Sequence, residues 1–243
     1  MTPEKKSHAF LNHLEDLRSC LLRCLVACTL CSIAAYNFAH QILFFLIKPI
    51  GQVVFLSPSE AFIATMTITF LSGLLISSPY SLYQIWMFVA EALTEFERRY
   101  LVILLPASLL LFLLGGLFGY FVIVPLSLKF FLGFAFSSMI PMITLGKYIS
   151  FVGGCVLSFG LIFELPLIIT FLSAIGIASP AFLRHQRRYA IVIIFIISTI
   201  LTPPDVISQL LMAIPLLVLY ELSVLLSKLV YREKSPVPSQ QVQ

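Results

Sequence analysis

The sequence predicts an all-α polytopic membrane protein with six transmembrane helices, kinks within the bundle, both termini on the inner side and an interfacial cap made by the outer loops. Of its 243 residues, 60% are apolar and only 11% are charged, whereas about 25% of residues in a soluble domain are charged. The mean hydropathy of +1.03 requires long contact with lipid, because one core cannot bury so many apolar residues. The apolar runs are continuous, which favours helices over the alternating strands of a barrel.

Six apolar segments are predicted to span the membrane, each of which needs about 20 residues to do so. They cover residues 19–39, 65–89, 101–124, 149–174, 189–202 and 208–227. The fifth is only about 21 Å long as a helix, against a hydrocarbon core of about 30 Å, so we expect it to thin the bilayer or to lie beside other helices. A re-entrant hairpin of the fifth and sixth segments is the alternative.

The distribution of Lys and Arg sets the predicted orientation, because these residues collect on the inner side of a membrane. Of the 15 residues of these two types, all but three lie near the N-terminus, in the loops after the second and fourth segments, or after the sixth segment. The remaining three are Lys48, Lys129 and Lys147, in the two outer loops. The predicted domains are therefore an inner N-terminal arm (residues 1–18), the six-helix transmembrane domain (19–232) and a disordered inner tail (233–243).

The outer loops and the internal prolines predict departures from straight helices. Residues 41–63 and 125–148 are apolar and contain prolines, Pro49 among them, so we expect short interfacial helices that pack together as a cap. Kinks are predicted where prolines fall within or at the ends of apolar segments. These prolines are Pro79, Pro106, Pro166 and Pro215.

Glu164 is the clearest candidate for a functional residue inside the membrane. No basic residue shares its apolar segment, and an ionised carboxylate at that depth is costly and usually kept for function. It is interpreted as a proton site, a docking point for a partner helix or the floor of a hydrated cavity. The structural alternative is a protonated acid bonded to a hydroxyl or to a carbonyl that Pro166 frees.

At the outer turn, Asp205 is interpreted either as a helix cap or as a functional residue.

A cluster of acids is predicted at the inner face, where carboxylates can hold guanidinium groups through paired hydrogen bonds. Its members are Glu15, Asp16, Glu91, Glu95 and Glu97. Such a cluster suits an arginine-bearing peptide whose apolar part enters the lipid. The alternative is local pairing, for example of Glu95 with Arg98 or Arg99 at helical spacing.

Several classes of function are excluded by the sequence. The net charge of +4 is small and scattered, so no nucleic-acid partner is expected. The histidines are not paired at metal-ligand spacing, and the sequence has neither a phosphate-binding glycine loop nor a nucleophile elbow. We therefore predict no enzyme activity, no metal and no cofactor.

Four cysteines on one stripe of the first segment are interpreted as small apolar filler. They are Cys20, Cys24, Cys28 and Cys31.

Five motifs follow one another along almost the whole chain. They are His13–Leu14–Glu15–Asp16–Leu17–Arg18, Ser78–Pro79 with Tyr83–Gln84–Ile85–Trp86, Phe96–Glu97–Arg98–Arg99, Phe163–Glu164–Leu165–Pro166, and Leu201–Thr202–Pro203–Pro204–Asp205 with Ser208–Gln209. In this order, on a frame of six predicted spans, they make the chain resemble the TatC family, the multispanning receptor subunit of the twin-arginine protein translocase.

The resemblance implies a receptor that binds twin-arginine signal peptides of folded cargo on the cytoplasmic side. It also implies assembly with itself and with single-span subunits of the TatA and TatB type, in a bilayer whose proton motive force drives export. The implied membrane is the bacterial inner membrane, with thylakoid and mitochondrial membranes as alternatives. A proton-coupled small-solute transporter that uses Glu164 as its relay is the competing hypothesis, and the absence of repeated halves argues against it.

Residue by residue, the resemblance implies that Glu97 and Asp16 bind the signal peptide. The family usually has Glu at the second of these positions, so either Asp16 reaches the arginines differently or Glu15 shares the task. Polar docking of partners is expected at Glu164, Gln209 and Asp205. Structural roles are expected for the prolines of the motifs and of the first outer loop, which are Pro49, Pro79, Pro166, Pro203 and Pro204.

Overall fold

The structure, a computed structural model, describes residues 3–51, 53–91, 93, 98, 101–134, 142–201 and 206–231. The helices are α1 (Pro3–Tyr36), α2 (Ala39–Ile47), α3 (Pro58–Glu91), α4 (Leu101–Phe118), α5 (Val124–Leu132), α6 (Leu145–Phe163), α7 (Leu165–Ala174), α8 (Pro180–His185), α9 (Arg187–Leu201) and α10 (Val206–Val230), with a π-helical segment at Gly119–Ile123. Extended pairing within the described residues is limited to one bridge between Val54 and Thr144. The predicted all-α fold is confirmed.

Within the described residues, five stretches of helix are long and apolar enough to cross a membrane. They are Leu14–Tyr36, Pro58–Glu91, Val102–Leu132, Leu145–Ala174 and Gln209–Val230. Helix α9 has 15 residues, or about 22 Å of helix, and it coincides with the short fifth segment of the sequence. Each of the six predicted segments is thus mostly helical where the structure describes it, with turns at residues 37–38 and at residue 164. The crossing by α9 and the inner location of both termini stay predictions.

The chain divides into two compact units, Met1–Leu161 and Ile162–Gln243. In the first unit α1 packs along α3, and α3 also contacts α2 and α4. The contact of α1 with α3 is close because a glycine faces a serine, and a Cβ at Gly73 would overlap the side chain and backbone of Ser32. Small residues at such a crossing let two helices approach where lipid offers no hydrophobic force to join them.

We expect Gly73→Val to destabilise this unit by about 1–3 kcal/mol, because the added atoms meet backbone that cannot rotate away. Thermal unfolding in detergent, followed by circular dichroism, should show a lower midpoint for this variant. Gly154→Ala is the control, since nothing lies within 4 Å of a Cβ at that position. Its midpoint should equal the parent midpoint or lie above it, because Ala favours a helix over Gly. An unchanged midpoint for Gly73→Val would contradict the close contact of α1 with α3.

The third apolar helix runs further than predicted. The sequence predicts an outer loop from Pro125, but the chain continues as helix through α5. Proline has no N–H for the carbonyl four residues earlier, and the π-helical turn Gly119–Ile123 accommodates this loss. In that turn the Val124 N–H donates to the Gly119 carbonyl oxygen. The lost hydrogen bond therefore widens one turn and does not end the helix.

The two outer loops are joined by hydrogen bonds. The Val54 N–H donates to the Ile143 carbonyl, and the Leu145 N–H donates to the Val54 carbonyl, each at 3.0 Å. The buried Tyr148 hydroxyl donates to the Leu46 carbonyl at 2.8 Å. The loops therefore pack together, as expected of a cap, whereas their location at the membrane surface stays a prediction.

Internal prolines leave most helices continuous. Helices α3, α4 and α10 run through Pro79, Pro106 and Pro215 respectively. The Ser78 hydroxyl donates to the Leu75 carbonyl at 2.7 Å, which is the acceptor that the missing N–H of Pro79 leaves free. The fourth apolar segment is interrupted, because a turn at Glu164 separates α6 from α7 and Pro166 lies in the first turn of α7.

In the unit Ile162–Gln243, α10 packs against α7, α8 and α9. Ala178, Leu183 and Val224 form a buried apolar cluster there. The Tyr220 hydroxyl donates to the Leu183 carbonyl at 2.7 Å. This bond ties α8 to α10, so the short loop helix has a fixed position within its own unit.

Candidate functional site

A groove between α1 and α3, at the end predicted to face inward, contains the first of the predicted acids. Its volume is about 290 Å³. We call it the acidic groove, and its lining residues are Asp16, Ser19, Cys20 and Arg23 of α1 with Tyr83, Gln84, Met87, Phe88 and Glu91 of α3. On both helices these residues recur every three or four positions, so each set lies on one helix face. The groove exists because those two faces meet.

The acidic groove combines charge with apolar surface. Asp16 and Glu91 supply carboxylates, and Arg23 supplies one guanidinium group. Among the described residues, no ion pair joins Arg23 to either acid. Met87 and Phe88 supply apolar wall beside the charges. The groove can therefore offer carboxylate oxygens to an incoming guanidinium group while the adjoining part of the ligand contacts the wall.

The predicted inner acids do not all lie in the acidic groove. Asp16 lines it, and Glu91 of α3 lies there too. Glu15 is exposed and is not among the lining residues. Glu95 and Glu97 lie outside the described residues. Of the two adjacent acids of α1, Asp16 therefore lines the groove and Glu15 does not.

Glu164 lies at the interruption between α6 and α7 and is only 6% exposed. Its carbonyl oxygen accepts a hydrogen bond from the Ile168 N–H at 2.9 Å, at the start of α7. Pro166 is also buried, and its carbonyl accepts a bond from the Thr170 hydroxyl at 2.6 Å. The acid therefore stands at a helix N-terminus, where the helix dipole favours negative charge and offsets part of the cost of burial.

Gln209 joins α10 to α9 through side-chain hydrogen bonds. Its Nε2 donates to the Phe195 carbonyl at 3.1 Å and to the Thr199 hydroxyl at 2.6 Å. The Ser198 hydroxyl donates to the Gln209 carbonyl at 3.2 Å. Such bonds hold apolar helices together in lipid. The neighbouring predicted residues that lie outside the described ones are Pro203, Pro204 and Asp205.

The remaining predicted prolines occupy three different settings. Pro49 is exposed in the turn that follows α2. Pro79 is exposed within α3, and Pro166 is buried at the start of α7. Pro166 therefore lies beside the helix interruption, and the structural roles expected of all three prolines stay predictions.

Glu60 was not predicted as a site residue, yet it joins the two outer loops. Its Oε2 accepts a hydrogen bond from the Leu56 N–H at 2.8 Å, and its Oε1 accepts one from the Gly146 N–H at 2.9 Å. The signal was present in the sequence, because Ser57, Pro58 and Glu60 form a capping-box pattern with proline at the first helical position. That pattern predicts a helix start, but the partner 86 residues away is not readable from it.

Comparison with known proteins gives one consistent result. Residues 12–215 match the family described as Sec-independent protein translocase protein (TatC). The Sec-independent protein translocase protein TatC of Carboxydothermus hydrogenoformans is 40% identical over 232 residues, which cover 93% of this chain and 96% of the relative. The protein of the same name from Aquifex aeolicus is 41% identical, and the match covers 93% of this chain and 97% of the relative. The protein of that name from Escherichia coli K12 is 38% identical, and the match covers 90% of this chain and 87% of the relative.

A solved structure is also similar to this chain over most of its length. The crystal structure of a twin arginine translocase receptor, TatC, superposes with a TM-score of 0.84. Its sequence is 41% identical, and the match covers 90% of this chain and all of that one. At this identity the likeness extends beyond the fold to the family.

Proposed function

Because the chain belongs to the TatC family of Sec-independent protein translocase proteins, we propose that it is the receptor and core subunit of a twin-arginine translocase. In this role it binds the signal peptides of folded cargo proteins at the acidic groove. The observation that carries the proposal is the presence of Asp16 and Glu91 in one groove with apolar wall beside them.

Bidentate hydrogen bonding explains why two arginines suit this groove. A guanidinium group has a planar fork of N–H donors that matches a carboxylate, whereas an ammonium group is a single point of charge. The side chain of Asp16 is one methylene shorter than that of the family's usual Glu. A guanidinium group must therefore lie closer to α1 for Asp16 to bind it. Glu97, six residues after Glu91 in the sequence, is proposed as the second arginine-binding acid.

The polar residues within the apolar helices are proposed as docking points for single-span subunits of the TatA and TatB type. Glu164 is buried at a helix start, and Gln209 belongs to a hydrogen-bonded group on α9 and α10. A partner helix with a polar side chain gains a hydrogen bond at either place. The short α9 supports local thinning of the bilayer beside these residues.

The proposed location is a bacterial inner membrane, with the termini and the acidic groove on the cytoplasmic side. Lys and Arg are in excess near both termini and in the loops after the second and fourth predicted segments. This excess supports the orientation, because these residues collect on the inner side of a membrane. Export of folded cargo is proposed to use the proton motive force, and the chain itself is proposed to act as an oligomer.

The experiment that tests the function measures the binding of a fluorescent twin-arginine signal peptide to the purified full chain in detergent. We expect the peptide with two arginines to bind about tenfold more tightly than a peptide with two lysines in their place, because charge-assisted paired bonds are lost. A peptide with lysine in place of an arginine elsewhere is the control and should bind as the parent does. Equal affinities for the arginine-pair and lysine-pair peptides would contradict the proposal.

A further inference from the structure

Two adjoining cavities of the unit Met1–Leu161 lie away from the acidic groove and have no part in the proposed function. The deep cavity, of about 310 Å³, lies among α2, α3, α4 and α6, and its lining includes Leu75, Phe112 and Val156. The loop cavity, of about 320 Å³, is lined by Lys48 and by residues of α5 and α6. The two cavities share three aromatic residues, which are Phe45, Tyr120 and Phe121.

The shared aromatic residues form the boundary between the cavities. The rings of Phe45 and Tyr120 are stacked with centroids 6.2 Å apart, and Tyr120 meets Phe121 edge-on at 4.9 Å. Gly116 leaves space in the deep cavity, because a Cβ there would only reach ordinary contact with Val156 at 3.5 Å. The two cavities therefore adjoin at these three rings, and we call the pair of cavities together the passage.

The length of the deep cavity suits a hydrocarbon chain. From Phe112 on α4 to Tyr120 on the π-helical segment, the cavity follows the chain over about 12 Å. This length is close to one leaflet of hydrocarbon, about half of the roughly 30 Å core. A single extended hydrocarbon chain therefore matches the cavity along its length.

The chemistry of the walls agrees with this size. The deep cavity is lined by apolar and aromatic side chains, so water has no polar partners there, and an empty cavity would forfeit van der Waals contacts. Lys48 lines the loop cavity, is exposed, and has no ion-pair partner among the described residues. A cation at the mouth of an apolar passage complements an amphiphile with an anionic head.

We infer that this passage binds a membrane phospholipid, with one acyl chain in the deep cavity and its phosphate at Lys48. The headgroup phosphate needs a cation at the loop end, and the acyl chain needs the apolar space that Gly116 leaves open. The bound lipid contacts α2, α3, α4 and α6 together. It therefore acts as a filler that keeps the outer part of this unit packed in the bilayer.

Native mass spectrometry of the full chain, titrated with phosphatidylglycerol in detergent, tests the headgroup contact. We expect Lys48→Gln to weaken binding about fivefold, the effect of one basic residue on an anionic lipid surface. Lys129→Gln is the matched control, since Lys129 is also exposed but does not line either cavity, and it should bind as the parent does. Equal losses in both variants would indicate unspecific lipid binding and overturn the inference.

A phosphatidylglycerol with a photoreactive group in mid-chain, in nanodiscs, tests the acyl-chain contact. Peptide mapping should place the labels between Phe112 of α4 and Tyr120 of the π-helical segment. Gly116→Leu should remove these labels by filling the cavity, and Gly116→Ala, which meets only ordinary contacts, should reduce them in a protein that still folds. Leu114→Phe is the control, because Leu114 does not line the cavity. Unchanged labels in both Gly116 variants would overturn the inference, as would labels confined to other helices.

Discussion

Replacing Asp16 by Asn and Glu97 by Gln together should nearly abolish capture of a twin-arginine precursor. In the proposed site each carboxylate makes charge-assisted hydrogen bonds to a guanidinium group. Each contact is worth about 1.5–3 kcal/mol, so loss of both should weaken binding by about 100-fold or more. Asp16→Asn alone or Glu97→Gln alone should weaken precursor binding about tenfold, because each removes the contacts of one carboxylate. The measurement is crosslinking of a radiolabelled precursor to the chain in inner-membrane vesicles, quantified against total chain.

The matched control for this experiment is Glu15→Gln. Glu15 precedes Asp16 directly, carries the same charge as the family's usual acid, and does not line the acidic groove. We expect near-parental crosslinking for Glu15→Gln and a strong loss for Asp16→Asn. The reverse order would transfer the arginine-binding role to Glu15, and parental crosslinking in the double variant would remove both acids from the proposed site.

Replacing Glu164 by Leu should lower export of a folded twin-arginine reporter about tenfold, because one hydrogen bond to a partner inside the membrane is worth about 1–2 kcal/mol. Glu164→Gln should keep most of the export, since its amide can still bond a partner helix at the start of α7. The measurement is reporter accumulation outside the inner membrane, at equal amounts of chain in the membrane. Precursor crosslinking should stay parental in both variants.

The two Glu164 variants also separate a docking point from a proton relay. The Gln side chain can hydrogen-bond, but it does not titrate near neutral pH and so cannot relay a proton as a carboxyl group does. If export falls equally for Gln and Leu, Glu164 acts by titration, and its assignment as a polar docking point is wrong. Thermal unfolding of each variant shows whether loss of the buried acid changes stability instead.

The helical segments could be predicted because the hydropathy and the length of an apolar run can be read directly from consecutive residues. Even the unusual α9 was visible, since 15 helical residues leave a clear deficit against about 20 residues for a full crossing. The end of the third helix was predicted wrongly at Pro125, because a sequence pattern does not show that a π-helical turn can absorb the missing hydrogen bond.

The candidate site was predictable in its parts but not in its assembly. Asp16 and Glu91 are 75 positions apart, and they line one groove because α1 packs along α3. Sequence periodicity shows which residues share a helix face, but it does not show which helices pack against each other. The same limit explains why the partner of Glu60 in the second outer loop was not predicted.

The most direct test of arginine binding in the acidic groove is a photocrosslinking amino acid placed at Gln84, with a precursor whose arginine pair is intact or changed to lysines. Gln84 lines the groove, whereas the adjacent Ile85 is 49% exposed and does not, so a probe at Ile85 is the control. The proposed function predicts crosslinks from position 84 to the precursor segment around the arginine pair, lost with the lysine pair and weak from position 85. Equal crosslinks from both positions, or crosslinks that persist with the lysine pair, would contradict it.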